Sequence, residues 1–157
     1  MIKVRKASRP DSKDIHKWRN DELTRKMSLT SDYIEWDDHV KWFESSLIND
    51  RRLLLICEES DSKDKCAFVK FEIQDNRALT SINLSPCKRG KGLAYECLKK
   101  AINFCRSNFP SILFFDAEIK KVNLASKQIF EKSGFNFTQE LKEVLYYELT
   151  IKSEEFS

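Results

Sequence analysis

Two glycines stand close together in a turn whose residue types could hold a phosphate group. Gly90 and Gly92 lie between residues 78–85, whose pattern predicts a strand, and residues 95–106, whose apolar spacing predicts a helix. Such a turn exposes backbone N–H groups at a helix N-terminus, where the helix dipole and the free donors favour an anion. It is neither a Walker loop nor a dinucleotide fingerprint, since no Gly-Lys-Ser/Thr is present and Tyr95 stands where a small residue is needed.

A second segment, residues 123–135, has the pattern of a short capped helix. Asn123 is a favoured N-cap residue, and Gly134 can end the helix in a left-handed conformation. A cap and a terminator are ordinary features of any helix. The order of the segments carries more weight, because a strand, the glycine turn, a helix, a strand at residues 112–119 and this helix follow one another.

Together the two segments resemble the GNAT superfamily of N-acyltransferases. Residues 89–94, Arg-x-x-Gly-x-Ala, are similar to its acyl-CoA pyrophosphate loop, and residues 123–135, with Asn-x-x-Ser, Glu-Lys and Gly-Phe, are similar to its later motif. The resemblance extends over residues 2–149. It implies one acetyltransferase domain, residues 1–157, of the α/β (α+β) class, with a central mixed, mostly antiparallel sheet of about seven strands and helices on both faces.

The resemblance also implies acetyl-CoA as co-substrate. The phosphates of CoA would lie on the glycine turn, and backbone N–H groups of the fourth strand would polarise the thioester. The later helix would hold the pantetheine and thiol end, with an aromatic residue packed near the reacting group. The residues expected to bind the cofactor are Ile82, Asn83, Leu84, Arg89, Gly90, Lys91, Gly92, Leu93, Ala94, Asn123, Ser126 and Phe130.

The amino-terminal third resembles a narrower GNAT subgroup. Residues 18–21, Trp-Arg-Asn-Asp, and residues 39–43, His-x-x-Trp-Phe type, are similar to amino-terminal acetyltransferases of ribosomal proteins and to amino-sugar nucleotide acetyltransferases of pathways such as pseudaminic acid synthesis. The sequence pattern of these two segments is closer to that of the sugar-nucleotide acetyltransferases. The resemblance places one wall of an acceptor cleft at Arg19, Asn20, His39 and Trp42. The alternative is that the aromatic residues Trp18, Trp42 and Phe43 are core residues of amphipathic helices.

Acetyl transfer to an amine requires a base, because an amine is mostly protonated at neutral pH. Glu118, on the predicted fifth strand near the cofactor end, is the first candidate for this role, and Glu72 and His39 are its rivals. Glu118 could instead be a surface carboxylate paired with Lys120.

Two departures from the superfamily pattern concern catalysis. Phe130 stands where many members have a tyrosine that protonates the leaving thiolate, and residues 79–81, Leu-Thr-Ser, replace a frequent carboxylate on the fourth strand. Positioning of amine and thioester could account for much of the rate without these groups. An acyl-enzyme on Cys87 has no evident base, so direct transfer in a ternary complex is the expected mechanism.

Composition argues against a nucleic-acid-binding, membrane-spanning or disulfide-rich protein. The 157 residues have a formal net charge of +3 with 34% charged residues, which is too balanced for a nucleic-acid-binding protein. No apolar run approaches the ~20 residues of a membrane span, so a cytoplasmic protein is expected. The five cysteines form no Cys-x-x-Cys pair and are expected to be reduced, and with His16 and His39 they offer no metal-ligand spacing. The sequence does not determine the oligomeric state, and a homodimer is compatible with it.

Three functional classes follow from the sequence. The first is an acetyl-CoA-dependent N-acetyltransferase for a small primary amine, with an amino-sugar nucleotide preferred over a protein amino terminus. The second is a CoA-binding sensor that has lost catalysis, and the third is an interaction domain without CoA.

The predicted strands cover residues 2–7, 52–58, 66–73, 79–84, 112–119, 135–141 and 144–151, and the predicted helices cover residues 11–19, 21–27, 34–47, 95–106 and 123–134.

Overall fold

The computed structural model describes residues 1–151, and one mixed β-sheet runs through this part of the chain. Its strands are β1 (Ile2–Lys6), β2 (Arg52–Glu59), β3 (Lys65–Gln74), β4 (Arg77–Leu84), β5 (Phe114–Lys120), β6 (Asn136–Leu141) and β7 (Val144–Thr150). The helices are α1 (Ser12–Asn20), α2 (Glu22–Met27), α3 (Trp36–Leu47), α4 (Leu93–Asn108) and α5 (Leu124–Lys132). No described helix is both long and apolar enough to cross a membrane.

The sheet contains a parallel pair that separates after a few residues. Within residues 1–151 the strand order is β1, β2, β3, β4, β5, β7, β6, and every neighbouring pair except β4 and β5 is antiparallel. β4 and β5 are parallel because the chain crosses between them through α4. Only residues 77–79 pair with residues 114–116. The unpaired remainders, residues 80–84 and 117–120, border a gap that we call the wedge.

Alternation along the strands buries apolar side chains on both faces of the sheet. One face packs against α4 and α5 through residues such as Leu55, Phe71, Leu98 and Phe115. The other face packs against α1 and α3 through a smaller cluster, which consists of Ala7, Ile15, Trp18, Phe43, Leu54, Ile56 and Phe68. The smaller cluster contains no residue of β4, β5 or β7. This face therefore stays open beside the wedge, where a pocket of about 920 Å³ lies.

The predicted fold class is confirmed, since the sheet is mixed, mostly antiparallel and covered on both faces. The largest difference in element bounds concerns α4, which covers Leu93–Asn108 instead of residues 95–106. Gly92 is the N-cap of α4 in a left-handed conformation, with φ at 71°. The helix thus begins directly at the glycine turn, without an intervening loop.

A buried carboxylate fixes α1 against the sheet. Asp11 is 1% exposed, accepts hydrogen bonds from the Arg5 guanidinium at 2.8 and 2.9 Å and from the backbone N–H of Ser8 at 2.8 Å, and pairs with Lys65 Nζ at 2.8 Å. Burial alone would raise the pKa of Asp11, but the hydrogen bonds from Arg5 and Lys65 hold it well below its usual range. One charge therefore joins β1, β3 and the start of α1.

Asp11→Ala should lower the free energy of unfolding by about 3 kcal/mol, because two cations lose a buried counter-charge. Denaturant unfolding at neutral pH measures the change. Asp14→Ala removes the more exposed partner of Lys65, 46% exposed, and serves as the control, with an expected loss below about 1 kcal/mol. Equal losses in the two variants would contradict this account.

Candidate active site

The wedge leaves backbone groups of β4 without a neighbouring strand. Residues 82–84 pair with β3 along one edge, whereas no strand of the described chain pairs with their other edge. The predicted cofactor residues there, Ile82, Asn83 and Leu84, are half-buried. An unpaired strand edge of this kind can hydrogen-bond to an extended ligand or to the oxygen of a polarised carbonyl.

The glycine turn follows the end of β4 that borders the wedge. Gly90 and Gly92 have φ values of 73° and 71°, in the left-handed region that favours glycine. A Cβ at either position would meet no atom within 4 Å, so backbone conformation, not packing, requires these glycines. No side chain caps α4, so the N–H groups of its first turn, beginning at Leu93 and Ala94, are free to bind an anion.

The two cations of the turn have different surroundings. Arg89 forms an ion pair with Asp21 and donates a hydrogen bond to Thr24 Oγ1 at 2.8 Å, so its side chain is directed to α2. Lys91 is exposed and forms no ion pair with another described residue. Arg89 thus holds α2 beside the turn, and Lys91 remains as the cation free to meet a phosphate group.

The predicted cap of α5 is formed by Asn123. Its Oδ1 accepts a hydrogen bond from the Ser126 N–H at 3.1 Å, and its Nδ2 donates to Ser126 Oγ at 3.0 Å and to the carbonyl of Met27 at 3.5 Å. The Asn123 side chain is therefore engaged within the protein, whereas Ser126 keeps its hydroxyl proton for a ligand. Lys120, at the end of β5, also donates to the carbonyl of Lys26 at 3.0 Å.

These contacts place α2 across the ends of β4 and β5 that border the wedge. One end of α2 is held by Arg89, from the turn after β4, and the other by Lys120 and Asn123, at the end of β5 and the turn after it. None of the residues of α2 is buried. Polar contacts rather than a hydrophobic core therefore position this helix.

Phe130, predicted to bind the cofactor and to pack near the reacting group, lies in the core. Its side chain is 3% exposed and meets Phe135 edge-on, with ring centroids 4.9 Å apart. α5 carries no tyrosine, and Tyr147 nearby donates a hydrogen bond to Glu131 at 2.7 Å. Burial, together with this bond, raises the pKa of Tyr147 to about 12, so this phenol is a poor proton donor.

Residues of the Trp-Arg-Asn motif stabilise the packing of α1 against the sheet and against the segment before α3. Trp18 is buried in the smaller core cluster. Asn20 donates a hydrogen bond to the carbonyl of Ile34 at 2.8 Å and accepts one from its N–H at 2.7 Å. His16 Nε2 lies 2.7 Å from the same carbonyl. Asn20, predicted to contact an acceptor, fixes the segment between α2 and α3 through these two bonds.

His39 is a packing residue, and the structure contradicts its predicted roles as base and acceptor contact. The ring is 0% exposed and stacks on Phe43, with centroids 5.7 Å apart. Nε2 lies 3.0 Å from the carbonyl of Ser12, and Nδ1 lies 3.3 Å from Arg19, so Nε2 donates and Nδ1 accepts. Burial, followed by the charges of Arg19 and His16, lowers the pKa of His39 to about 4.

Arg19 and Trp42 remain at the border of the open face. The Arg19 guanidinium lies 4.4 Å from the centroid of the Trp42 ring, and the Lys70 ammonium lies 5.5 Å from it. Arg19 forms no ion pair with a described carboxylate, and burial lowers its pKa. Both predicted acceptor residues are half-buried and can still border a ligand.

Glu118 and Tyr146 lie side by side on the open face. Glu118 of β5 is opposite Tyr146 of β7 in the sheet register, and both line the pocket. Glu118 is two residues beyond the last β4–β5 pair, at the narrow end of the wedge. It forms no ion pair within residues 1–151, since Lys120 is directed to α2. An exposed, unpaired carboxylate can accept a proton from an amine.

Glu72, the rival base, is less available than Glu118. Its carboxylate lies 3.8 Å from Arg52 and 3.7 Å from Lys70. Two cations share this carboxylate, so an acceptor amine would have to compete with them for it. Glu118 has no such neighbour in the described chain.

An ion cluster closes the narrow end of the wedge. Arg77 of β4 donates two hydrogen bonds of 2.8 Å to Asp116 of β5 and also pairs with Glu148 of β7. The Arg77 guanidinium lies 4.3 Å from the centroid of the Phe114 ring. Three strands are thereby joined at the point where β4 and β5 begin to separate.

Sequence reasoning missed Tyr146 as a pocket residue and Lys70 as a neighbour of the pocket residue Glu72. Lys70 shares a face with Glu72 through the two-residue period of a strand, so the alternation in β3 could have pointed to it. Tyr146 is placed only by the register between β5 and β7, which no local pattern predicts. Among the described residues, no group of three or more His, Cys, Asp or Glu side chains is arranged to hold a metal ion.

A separating parallel pair in an otherwise antiparallel sheet, followed by a glycine turn and an uncapped helix, defines the acyl-CoA N-acyltransferase fold. Residues 2–136 match the family model described as acetyltransferase (GNAT) domain. The chain therefore belongs to the GNAT acetyltransferase family and is an N-acetyltransferase. The match does not distinguish the narrower subgroup that residues 18–21 and 39–43 suggested.

Solved structures share this fold over almost the whole chain. A spermidine N-acetyltransferase from Vibrio cholerae in complex with CoA and spermine has a TM-score of 0.86 and 15% identity, covering 95% of both chains. The aminoglycoside acetyltransferase AAC(6')-Ib in complex with coenzyme A has a TM-score of 0.82 and 14% identity, covering 100% of this chain and 99% of the other. At these identities the likeness shows the fold alone. No curated protein sequence matches the chain.

His39 should make the protein sensitive to mild acid. The unfolded chain protonates this histidine near pH 6.5, whereas the folded protein keeps it neutral down to about pH 4. Lowering the pH through this window therefore favours unfolding, by up to about 3 kcal/mol. Urea unfolding between pH 4 and 7.5 should show this slope in the wild type and a flatter one in His39→Gln, whereas His16→Gln, which removes only a minor cause of the lowered pKa, should keep most of the slope. An unchanged slope in His39→Gln would contradict the assignment.

Gly92→Val should weaken acetyl-CoA binding at least ~10-fold, because a β-branched residue is strained at the left-handed φ and covers the α4 N-terminus. Gly92→Asn is the matched control, since asparagine tolerates this conformation and should retain more affinity. Calorimetric titration measures both. Unchanged affinity in a folded valine variant would place the phosphates elsewhere.

Proposed function

We propose that this protein transfers the acetyl group of acetyl-CoA directly to a primary amine, with both substrates bound at once. The observation that carries the proposal is the junction of the wedge with the uncapped N-terminus of α4. A pyrophosphate on the glycine turn would direct the pantetheine arm along the free edge of β4, towards Glu118. The CoA in the two solved relatives supports acetyl-CoA as co-substrate.

The reaction begins with loss of a proton from the amine. An alkylammonium group has a pKa of about 10, so the acceptor must be deprotonated before it attacks. Glu118 can take this proton directly or through a water molecule. The amine nitrogen then attacks the thioester carbon, N–H groups of residues 82–84 stabilise the oxyanion, and the C–S bond breaks to release the CoA thiolate.

The thiolate needs a proton that neither Phe130 nor Tyr147 can supply. Tyr146 presents a phenol on the same face as Glu118, from the neighbouring strand. In this proposal Tyr146 gives its proton to the thiolate, and CoA leaves as the neutral thiol. Direct transfer requires no nucleophile from the protein, so Cys87 has no role.

The acceptor in this proposal is a small molecule. The pocket of about 920 Å³ is of the size that holds small ligands. Both solved relatives are named for small amines, spermidine and aminoglycosides. An amino-sugar nucleotide is one candidate, supported by the cation and ring plane of Arg19 and Trp42, and a protein amino terminus is the alternative.

A second candidate function is a CoA-binding protein without catalysis. The observation that favours it is the absence of a carboxylate from residues 79–81 of β4 and of a tyrosine from α5. Either function fits a cytoplasmic protein, since the five cysteines are all free. A homodimer could use β6, an edge strand whose residues are all exposed.

Two measurements test these proposals. Thermal unfolding with and without acetyl-CoA tests cofactor binding, and we expect stabilisation. Release of CoA thiol, followed with amino-sugar nucleotides, free amino sugars, small alkylamines and amino-terminal peptides, tests catalysis. Turnover confined to peptides would overturn the small-molecule acceptor, and stabilisation without turnover of any amine would favour the non-catalytic protein.

Glu118→Gln should lower the rate of acetyl transfer roughly 10²-fold or more, because the variant cannot accept a proton, while acetyl-CoA affinity changes little. Steady-state rates and calorimetry separate the two effects. Glu72→Gln is the matched variant on β3 and should retain most of the rate. A larger loss of rate in Glu72→Gln than in Glu118→Gln would assign the base to Glu72. Near-normal rates in both variants would assign proton transfer to water.

A further inference from the structure

Three cations are connected through shared contacts, and one of them, Arg52, lines the pocket together with Glu72, the single carboxylate of the group. Arg19 and Lys70 share the Trp42 ring, at 4.4 and 5.5 Å from its centroid. Arg52 and Lys70 share the carboxylate of Glu72, at 3.8 and 3.7 Å. One carboxylate against three cations leaves two positive charges unmatched among the described residues.

These charges are held partly away from water. The side chain of Lys70 is only 26% exposed, and burial lowers its pKa, which the nearby Glu72 opposes only in part. Like charges close together in a medium of low dielectric constant repel each other. The contact with Trp42 keeps Arg19 from turning freely into solvent. An anion between Arg19 and Lys70 would relieve this repulsion.

The sheet register places Lys70, one of these cations, in line with the proposed base Glu118. Lys70 of β3 is opposite Ser81 of β4, and Glu118 of β5 is opposite Tyr146 of β7. Ser81 and Glu118 each lie two residues beyond the last β4–β5 pair, and so share one face. The four residues form a row that only the wedge interrupts. With strands about 4.8 Å apart, the backbones at Lys70 and Glu118 are separated by at least ~10 Å.

We propose that Lys70 and Arg19 bind an oxyanion of the acceptor, a carboxylate or a phosphate group, while Glu118 receives its amine. The inference rests on the proposed function, because it concerns the acceptor of that reaction. Ser81 is exposed between the two ends and adds a hydroxyl donor. The acceptor is then an amine that carries its negative charge some distance along the molecule, as an ω-amino acid or an amino-sugar phosphate does.

A polyamine fits this arrangement poorly. A second ammonium group of such a molecule would lie against two unmatched cations, and contact between like charges is unfavourable. The solved relative named for spermidine shares the fold with this chain at 15% identity, which leaves room for a different acceptor. Charge at the far end of the acceptor is therefore the property to vary.

The test compares amines of matched length that differ in this charge. The probes are 5-aminopentanoate, 3-aminopropyl phosphate, 5-aminopentanol and 1,5-diaminopentane. Calorimetry measures their binding to the complex of the enzyme with CoA, and kcat/KM is measured with acetyl-CoA. We expect at least one anionic amine to exceed the amino alcohol ~10-fold or more, with the diamine weakest. The carboxylate and phosphate probes distinguish the two sources of the oxyanion.

Lys70→Met should remove most of this preference by raising KM for the anionic amine about 10-fold, with a much smaller effect on the amino alcohol. Lys41→Met, the same change on the exposed surface of α3, should keep the preference. Arg19→Met tests the subsite independently if Lys70→Met does not fold.

The two proposals fail in different ways. Best binding of the diamine, or equal losses for charged and uncharged amines in Lys70→Met, would overturn the oxyanion subsite and leave the acetyltransferase standing. Absence of transfer to every amine would overturn the proposed function. The calorimetric preference would still decide whether the subsite binds an oxyanion.

Discussion

The chemistry of this chain depends on a strand pairing that stops after three residues. Residues 77–79 of β4 pair with residues 114–116 of β5, and beyond them the strand edges have no partner in the described chain. Full pairing would use the same backbone groups and leave no room for a pantetheine arm. Arg77 holds the paired end together through Asp116 and Glu148. Because unpaired backbone groups are unfavourable when buried, the wedge favours a ligand that supplies the missing hydrogen bonds.

The α1–α3 layer shows how a polar motif can serve packing. His39 is held neutral by burial, and its two nitrogens are occupied by Ser12 and Arg19. The amide of Asn20 is used at both ends by Ile34. Such satisfied groups specify one arrangement of the layer, since an unpaired polar group at the same place would be costly. The rigid layer in turn fixes Trp42, and with it the direction of the Arg19 side chain.

The parts of the fold that the sequence predicted correctly rest on local signals. Gly92 marks a turn that leads into a helix through its backbone, Asn123 marks the start of α5 through its side chain, and strand alternation needs only neighbouring residues. The contacts that were missed join distant residues. Arg89 meets Asp21 from 68 positions away, and nothing near Arg89 in sequence indicates that partner. The burial of His39 likewise depends on how α1 and α3 pack, which its helical spacing alone does not predict.

The position of α2 connects the two halves of the site. The helix buries no side chain of its own, so its place is set by Arg89 at one end and by Asn123 and Lys120 at the other. An anion bound on the glycine turn would compete with Asp21 for the same guanidinium. Occupation of the cofactor turn and the position of α2 are then linked, and linkage of this kind is reciprocal. In the proposed complex, a phosphate group on the glycine turn would therefore act on α2, which lies across the ends of β4 and β5, through the Arg89 side chain.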